Sequence, residues 1–140
     1  MSKSAKKAEM DLPSAIMIML KANVMAYVVT AIFILLASIL LTYTNASPRF
    51  EGMITILGIL VSAFLVGFDT AKVENRNGYR WGAVGGALYF VIFLVLGTVI
   101  DKLDQVAPSA ILLIALMVLV TSSIAGMISV NVEGSSYRRR

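Results

Sequence analysis

Four long apolar runs, separated by short polar breaks, account for most of the chain, and within them apolar and polar positions do not alternate. The runs centre on residues 24–43, 52–69, 81–100 and 108–131. Each offers about the 17–25 residues that a helix needs to cross roughly 30 Å of hydrocarbon. A helix satisfies its backbone hydrogen bonds within itself, as lipid requires. Strands of a membrane barrel would be about half as long and would alternate in polarity. The pattern predicts an all-α membrane protein, a bundle of four transmembrane helices.

The breaks carry start and stop signals. Ser47-Pro48 suits the first turn of the second helix, and Pro108-Ser109 after Asp104 does the same for the fourth. Asn77-Gly78 predicts a turn between the second and third. Asp11-Leu12-Pro13 opens a helix ahead of the first run, where Ile16, Met17, Met19 and Leu20 suit a membrane interface. That helix is either a separate interfacial segment or the start of the first span. The chain divides into an N-terminal segment, 1–21, a single four-helix domain, 22–133, and a basic tail, 134–140. The first run is too long, and begins too far along, for the core of a secretory signal peptide.

Composition excludes a soluble fold. Apolar residues make up 59% of the 140 and charged residues 14%, against about 25% charged in ordinary soluble domains. The net charge of +4 does not point to nucleic acid, because the basic residues flank apolar runs and form no stripe among aromatics. They do predict orientation. Lys3, Lys6, Lys7, Lys21, Lys72, Arg76, Arg80, Arg138, Arg139 and Arg140 lie on one side, ten residues against only Arg49 and Lys102 on the other. The positive-inside rule then puts both termini and the second connection in the cytoplasm. The outer connections are too short for a folded domain. Arg138, Arg139 and Arg140 suit an anionic leaflet, at about 1 kcal/mol each.

The chain has no Cys and no His. The commonest general base, the commonest metal ligand and any thiolate chemistry are therefore missing. The central stretches of the four runs contain no Asp, Glu, Lys or Arg, the residues that usually mark ion paths and proton relays. Acid–base work would fall to Asp69, Glu74 or Tyr79, with no nucleophile, metal set or phosphate loop near them in sequence. The expectation is a protein that is not an enzyme and takes no cofactor or metal.

Small residues are the more informative feature. Gly82 and Gly86 form a G-x-x-x-G pair beside Gly85, Ser122 and Gly126 repeat the spacing, and Gly58, Ser62 and Gly67 mark the second run. Small residues four apart share a helix face and let another backbone approach closely. Those faces serve either packing within the bundle or contact with another copy or another membrane protein. A second candidate region is the cytoplasmic rim of Asp69, Lys72, Glu74, Arg76 and Asn131. Its charges can pair locally, and Asp69 and Asn131, at one depth, can bridge the second and fourth helices or be hydrated separately. A weak internal repeat aligns Val61-Ser62-Ala63-Phe64-Leu65-Val66-Gly67 with Val120-Thr121-Ser122-Ser123-Ile124-Ala125-Gly126. It would make the bundle two parallel-related hairpins.

With the Asn77-Gly78 turn, Gly82, Gly85, Gly86 and the ending Gly126-Met127-Ile128-Ser129-Val130-Asn131 in view, the chain resembles the YrzE-like family of small four-helix membrane proteins of Gram-positive bacteria, over about residues 14–133. Ser129 and Ala125 stand where that family favours glycine. The resemblance implies the four-helix fold and a bacterial cytoplasmic membrane; it implies no activity. Two functions fit the residues. One is a non-enzymatic bundle acting by self-association or as an accessory subunit of a larger membrane complex. The other is an oligomeric transporter of small solutes or lipid.

Overall fold

The computed structural model describes residues 12–45, 47–73, 77–100 and 103–138. Four long helices carry the fold: α1 (Leu12–Thr44), α2 (Pro48–Thr70), α3 (Gly78–Val99) and α4 (Pro108–Arg138). Two short 3-10 turns join them, Ala71–Val73 after α2 and Leu103–Gln105 before α4. All four helices are long and apolar enough to cross a membrane, and no strand occurs among the described residues.

The helix starts follow from local chemistry. Ser47 caps α2, its side chain accepting from the Arg49 backbone N–H at 3.3 Å, with Pro48 in the first turn. Asn45 ends α1 in the left-handed region, φ 47°, a conformation that asparagine tolerates better than most residues. Asn77 begins α3 through its backbone carbonyl, which accepts from Arg80 at 3.1 Å and Trp81 at 3.2 Å. Its side chain makes no cap.

The helices run past the predicted spans at the end that holds the start of α1 and the end of α4. α1 is one helix of 33 residues, about 50 Å at roughly 1.5 Å per residue. Of the two readings of the segment ahead of the first run, the start of a continuous first helix is the one observed. The physical reason is local: between Ser14 and Thr44 there is no Gly or Pro to break the helix, and Lys21 is the single charged residue. The helix of α4 likewise continues beyond 133, through Gly134, Ser135 and Ser136, into the stretch read as a tail.

Successive helices are antiparallel. α2 is the hub, packing against α1, α3 and α4, while α3 and α4 share an extensive interface of their own. α1 lies outside this group of three, against α2, and touches α3 only slightly. A true twofold between hairpins would match the α2–α3 contact with an equivalent α4–α1 contact. Among the described residues α1 and α4 form no such interface, so the parallel-hairpin symmetry is absent from the packing. The core is correspondingly small-residue: Ala26, Ala63, Val66 and Val118 are fully buried with Tyr89 and Ile59, and Tyr27, Phe90, Phe93 and Ile114 close around them.

Candidate functional site

Two buried regions and one exposed rim hold the residues that chemistry singles out. The first region is the crossing of α2, α3 and α4. On α3, Gly78, Gly82 and Gly86 line one edge and meet α4 at Ser122 and Gly126; Gly67 brings α2 to the same Ser122. The fit is backbone to backbone. A Cβ on Gly67 would lie 2.6 Å from the Ser122 Cα, and one on Gly126 would lie 3.1 Å from the Gly82 Cα. Gly78 and Gly126 each face the other's carbonyl oxygen, and the Ser122 carbonyl faces both Gly67 and Gly82. Glycine Cα hydrogens directed at carbonyls in this way give weak Cα–H···O contacts of about 0.5–1 kcal/mol each.

The structure thus gathers Gly67, Gly82, Gly86, Ser122 and Gly126 into one junction. Gly85 points elsewhere, at Thr70, whose Cβ would be 2.9 Å from an added methyl. Gly58 meets the Phe33 side chain of α1, whose Cβ would be 2.8 Å from an added methyl. All the glycine faces that the spacing identified are turned inward. The Asn77-Gly78 pair predicts a turn, and in the structure Gly78 is the first residue of α3. Among the described residues no glycine has positive φ, and Gly78 matters for proximity instead: an added Cβ would sit 2.5 Å from Val130 Cγ2.

The second region is a hydroxyl cluster halfway along the bundle. Thr30 on α1 is its centre. Its Oγ1 donates to the Ala26 carbonyl at 2.9 Å and so can accept from both Ser62 Oγ on α2, at 2.7 Å, and the Tyr89 hydroxyl on α3, at 2.9 Å. Tyr27 stacks on Tyr89 with centroids 4.8 Å apart and donates its hydroxyl to the Tyr89 backbone carbonyl at 2.7 Å. Tyr89 is 1% exposed and Ser62 0%. In a medium without water these groups satisfy one another, and each interhelical bond contributes about 0.6 kcal/mol, up to roughly 1.7. Sequence spacing had marked Ser62 only as small, and had missed Thr30, Tyr27 and Tyr89. A hydroxyl can return to the carbonyl four residues back on any helix, as Thr42 and Thr55 do here, so the residue type alone does not announce an interhelical contact.

The rim is exposed and loosely organised. Asp69 pairs with Lys72 at 2.8 Å, both over 40% exposed, and Lys72 Nζ lies 5.4 Å from the Phe68 ring centre. The Asp69–Asn131 bridge is not formed: Asp69 turns to the neighbour three residues on, and Asn131 is exposed on α4. Glu74, Arg76, Arg139 and Arg140 lie outside the described residues, and Arg138 is described only as the last residue of α4. A groove of about 290 Å³ beside Asn77, Arg80, Trp81 and Val84 opens at this same end. No group of three or more carboxylates or other metal-ligating side chains occurs among the described residues.

A bundle whose four helices are long and apolar, with the Thr30, Ser62 and Tyr89 hydroxyls and the junction glycines turned inward and many large aliphatic side chains turned outward, defines a helical multi-pass membrane protein. More particularly, the chain belongs to the family described as "Protein of unknown function (DUF3792)", whose family model matches residues 15–129. No curated protein and no solved structure matches the chain.

Proposed function

We propose that this protein is a non-enzymatic membrane bundle that works through its outer surface, by association with another copy of itself or with a larger membrane complex. The observation that carries this reading is the inward use of the small residues. Gly67, Gly82, Gly86, Ser122 and Gly126 hold α2, α3 and α4 together, and Thr30, Ser62 and Tyr89 bond to one another at mid-height. Apart from Asn23, Thr70 and Ser129, whose buried side chains each keep one unpartnered polar atom, little polar chemistry is left among the described interior residues to act on a solute. The hollow between α2 and α4 at Ile56, Ile59, Leu60, Ile114 and Met117 has room for about 10 Å³, at the lower limit for a single water. These features favour association over the oligomeric transporter, in which a solute path would need polar lining.

In this reading the contact surface is not the glycine faces. It is the bulky apolar exterior, such as Leu57 and Phe64 on α2 and Leu116 and Val120 on α4, all exposed. The basic end faces the cytoplasm, as the ten-to-two distribution of Lys and Arg favours, and the resemblance to the YrzE-like family suggests a bacterial cytoplasmic membrane. Arg138, Arg139 and Arg140 would then meet anionic lipid.

The test is chemical crosslinking in native membranes, followed by native mass spectrometry of the protein in lipid nanodiscs. A defined oligomer, or a membrane protein recovered in fixed ratio, is the expected result. A strict monomer that carries nothing with it, together with solute flux in reconstituted liposomes, would replace this reading with the transporter.

A further inference from the structure

Two polar groups lie one layer below the hydroxyl cluster, and neither has a partner. Asn23 Oδ1 on α1 and Thr70 Oγ1 on α2 are buried without a hydrogen-bond partner among the described residues, their residues 2% and 0% exposed. The Asn23 amide nitrogen donates to the Met19 carbonyl at 2.9 Å, which leaves its oxygen free to accept. Among the threonines of this chain, Thr30, Thr42, Thr55 and Thr98 each return the hydroxyl to a backbone carbonyl of the preceding turn. Thr70 does not; it presents its hydroxyl to Gly85 of α3, where an added Cβ would collide with it.

Register puts the two groups in the same layer. Thr30 and Ser62 are in direct contact at 2.7 Å across the antiparallel α1–α2 pair. Asn23 is seven residues from Thr30 toward the basic end, and Thr70 is eight from Ser62 in the same direction. At about 1.5 Å per residue these steps differ by only about 1.5 Å in height. Asn23, Tyr27 and Thr30 form one stripe of α1, and Tyr27 and Thr30 both reach α3 at Tyr89. Ser62, Val66 and Thr70 form the matching buried stripe of α2. Gly85, one turn before Tyr89, completes the layer from α3.

We propose that Asn23 and Thr70 hold a water molecule between α1, α2 and α3, donating to Asn23 Oδ1 and bonded to Thr70 Oγ1. A buried amide oxygen and a hydroxyl with no other partner are the groups that retain a structural water, because leaving both unbonded in hydrocarbon is costly. Together with the hydroxyl cluster above it, the water makes the α1 seam polar over two layers, from mid-bundle toward the basic end.

The experiment is NMR of the full chain in lipid nanodiscs, with magnetisation transfer from water to the Asn23 side-chain amide, joined to a double-mutant cycle of Asn23→Leu and Thr70→Val. The expected result is a water cross-peak at the Asn23 amide that is lost in Thr70→Val and kept in Thr70→Ser. The cycle should show coupling of about fivefold in the unfolding equilibrium. An Asn23 amide without a water cross-peak overturns the proposal, including the case in which coupling persists, which would mean a direct Asn23–Thr70 bond. Additive variants overturn it as well. If Asn23→Leu does not fold, the Thr70→Val and Thr70→Ser spectra decide alone.

Discussion

Where α3 crosses α4, backbone meets backbone, with Gly78 against Gly126 and Gly82 against Ser122. Where α1 meets α2 and α3, side chains intervene: Phe33 covers Gly58, and Thr30 and Tyr27 reach across to Ser62 and Tyr89. In lipid neither joint has a hydrophobic driving force, since lipid tails are as apolar as the side chains. The first joint is held by close van der Waals contact and Cα–H···O geometry, which depend on the absence of any side chain. The second is held by a few hydroxyl bonds, which depend on particular atoms. One joint is intolerant of added volume and the other of lost polarity. α1 is therefore the helix that can be loosened without dismantling the rest.

The sharpest break of this contrast is Gly82→Leu. Its side chain would have to enter the α4 backbone at Ser122, and destabilisation of about 3 kcal/mol or more is expected. Gly58→Leu presses on the Cβ and ring of the Phe33 side chain, which a shift of that side chain can relieve in part, and should lose less than a collision with backbone. Unfolding in rising dodecyl sulfate, followed by far-UV circular dichroism, compares the two. Equal losses at both positions would mean that the α3–α4 junction has no special closeness.

Thr30→Val tests the other joint. It keeps shape and removes the hydroxyl that links α1 to both Ser62 and Tyr89. The expected cost is about 1–2 kcal/mol. Spin-label distances should broaden between α1 and α3 and stay sharp between α3 and α4. If both pairs broaden together, α1 is an integral part of one cooperative bundle and the division into two joints is wrong.

The smallest effect belongs to the rim. Asp69→Asn breaks an exposed pair with Lys72 and should change stability by no more than about 0.5 kcal/mol. A thermal shift in detergent beyond that, insensitive to salt, would give Asp69 a partner that this geometry does not supply.

How much of this was legible beforehand differs between the fold and the site. The spans were readable because lipid demands long uncharged helices, so the position of each break, such as Ser47-Pro48, follows from composition and caps. The junction was half readable. The spacing of Gly82, Gly86, Ser122 and Gly126 marks close-approach faces, but spacing is silent on whether the approaching backbone belongs to the same chain. The hydroxyl cluster was not readable, because Thr30 and Tyr27 are ordinary residues for an apolar helix until Tyr89 stands opposite them.

Sequence by itself determined the solvent, the number of crossings and the residues able to let backbones touch, because each of these is a property of one segment against lipid. It also determined the charge bias between the two ends. The tertiary structure alone decided that α2 is the hub, that α1 stands apart from α4 in spite of the internal repeat, and that the glycines face inward. Those outcomes depend on which faces of different helices meet, and a linear pattern fixes a face only relative to its own axis.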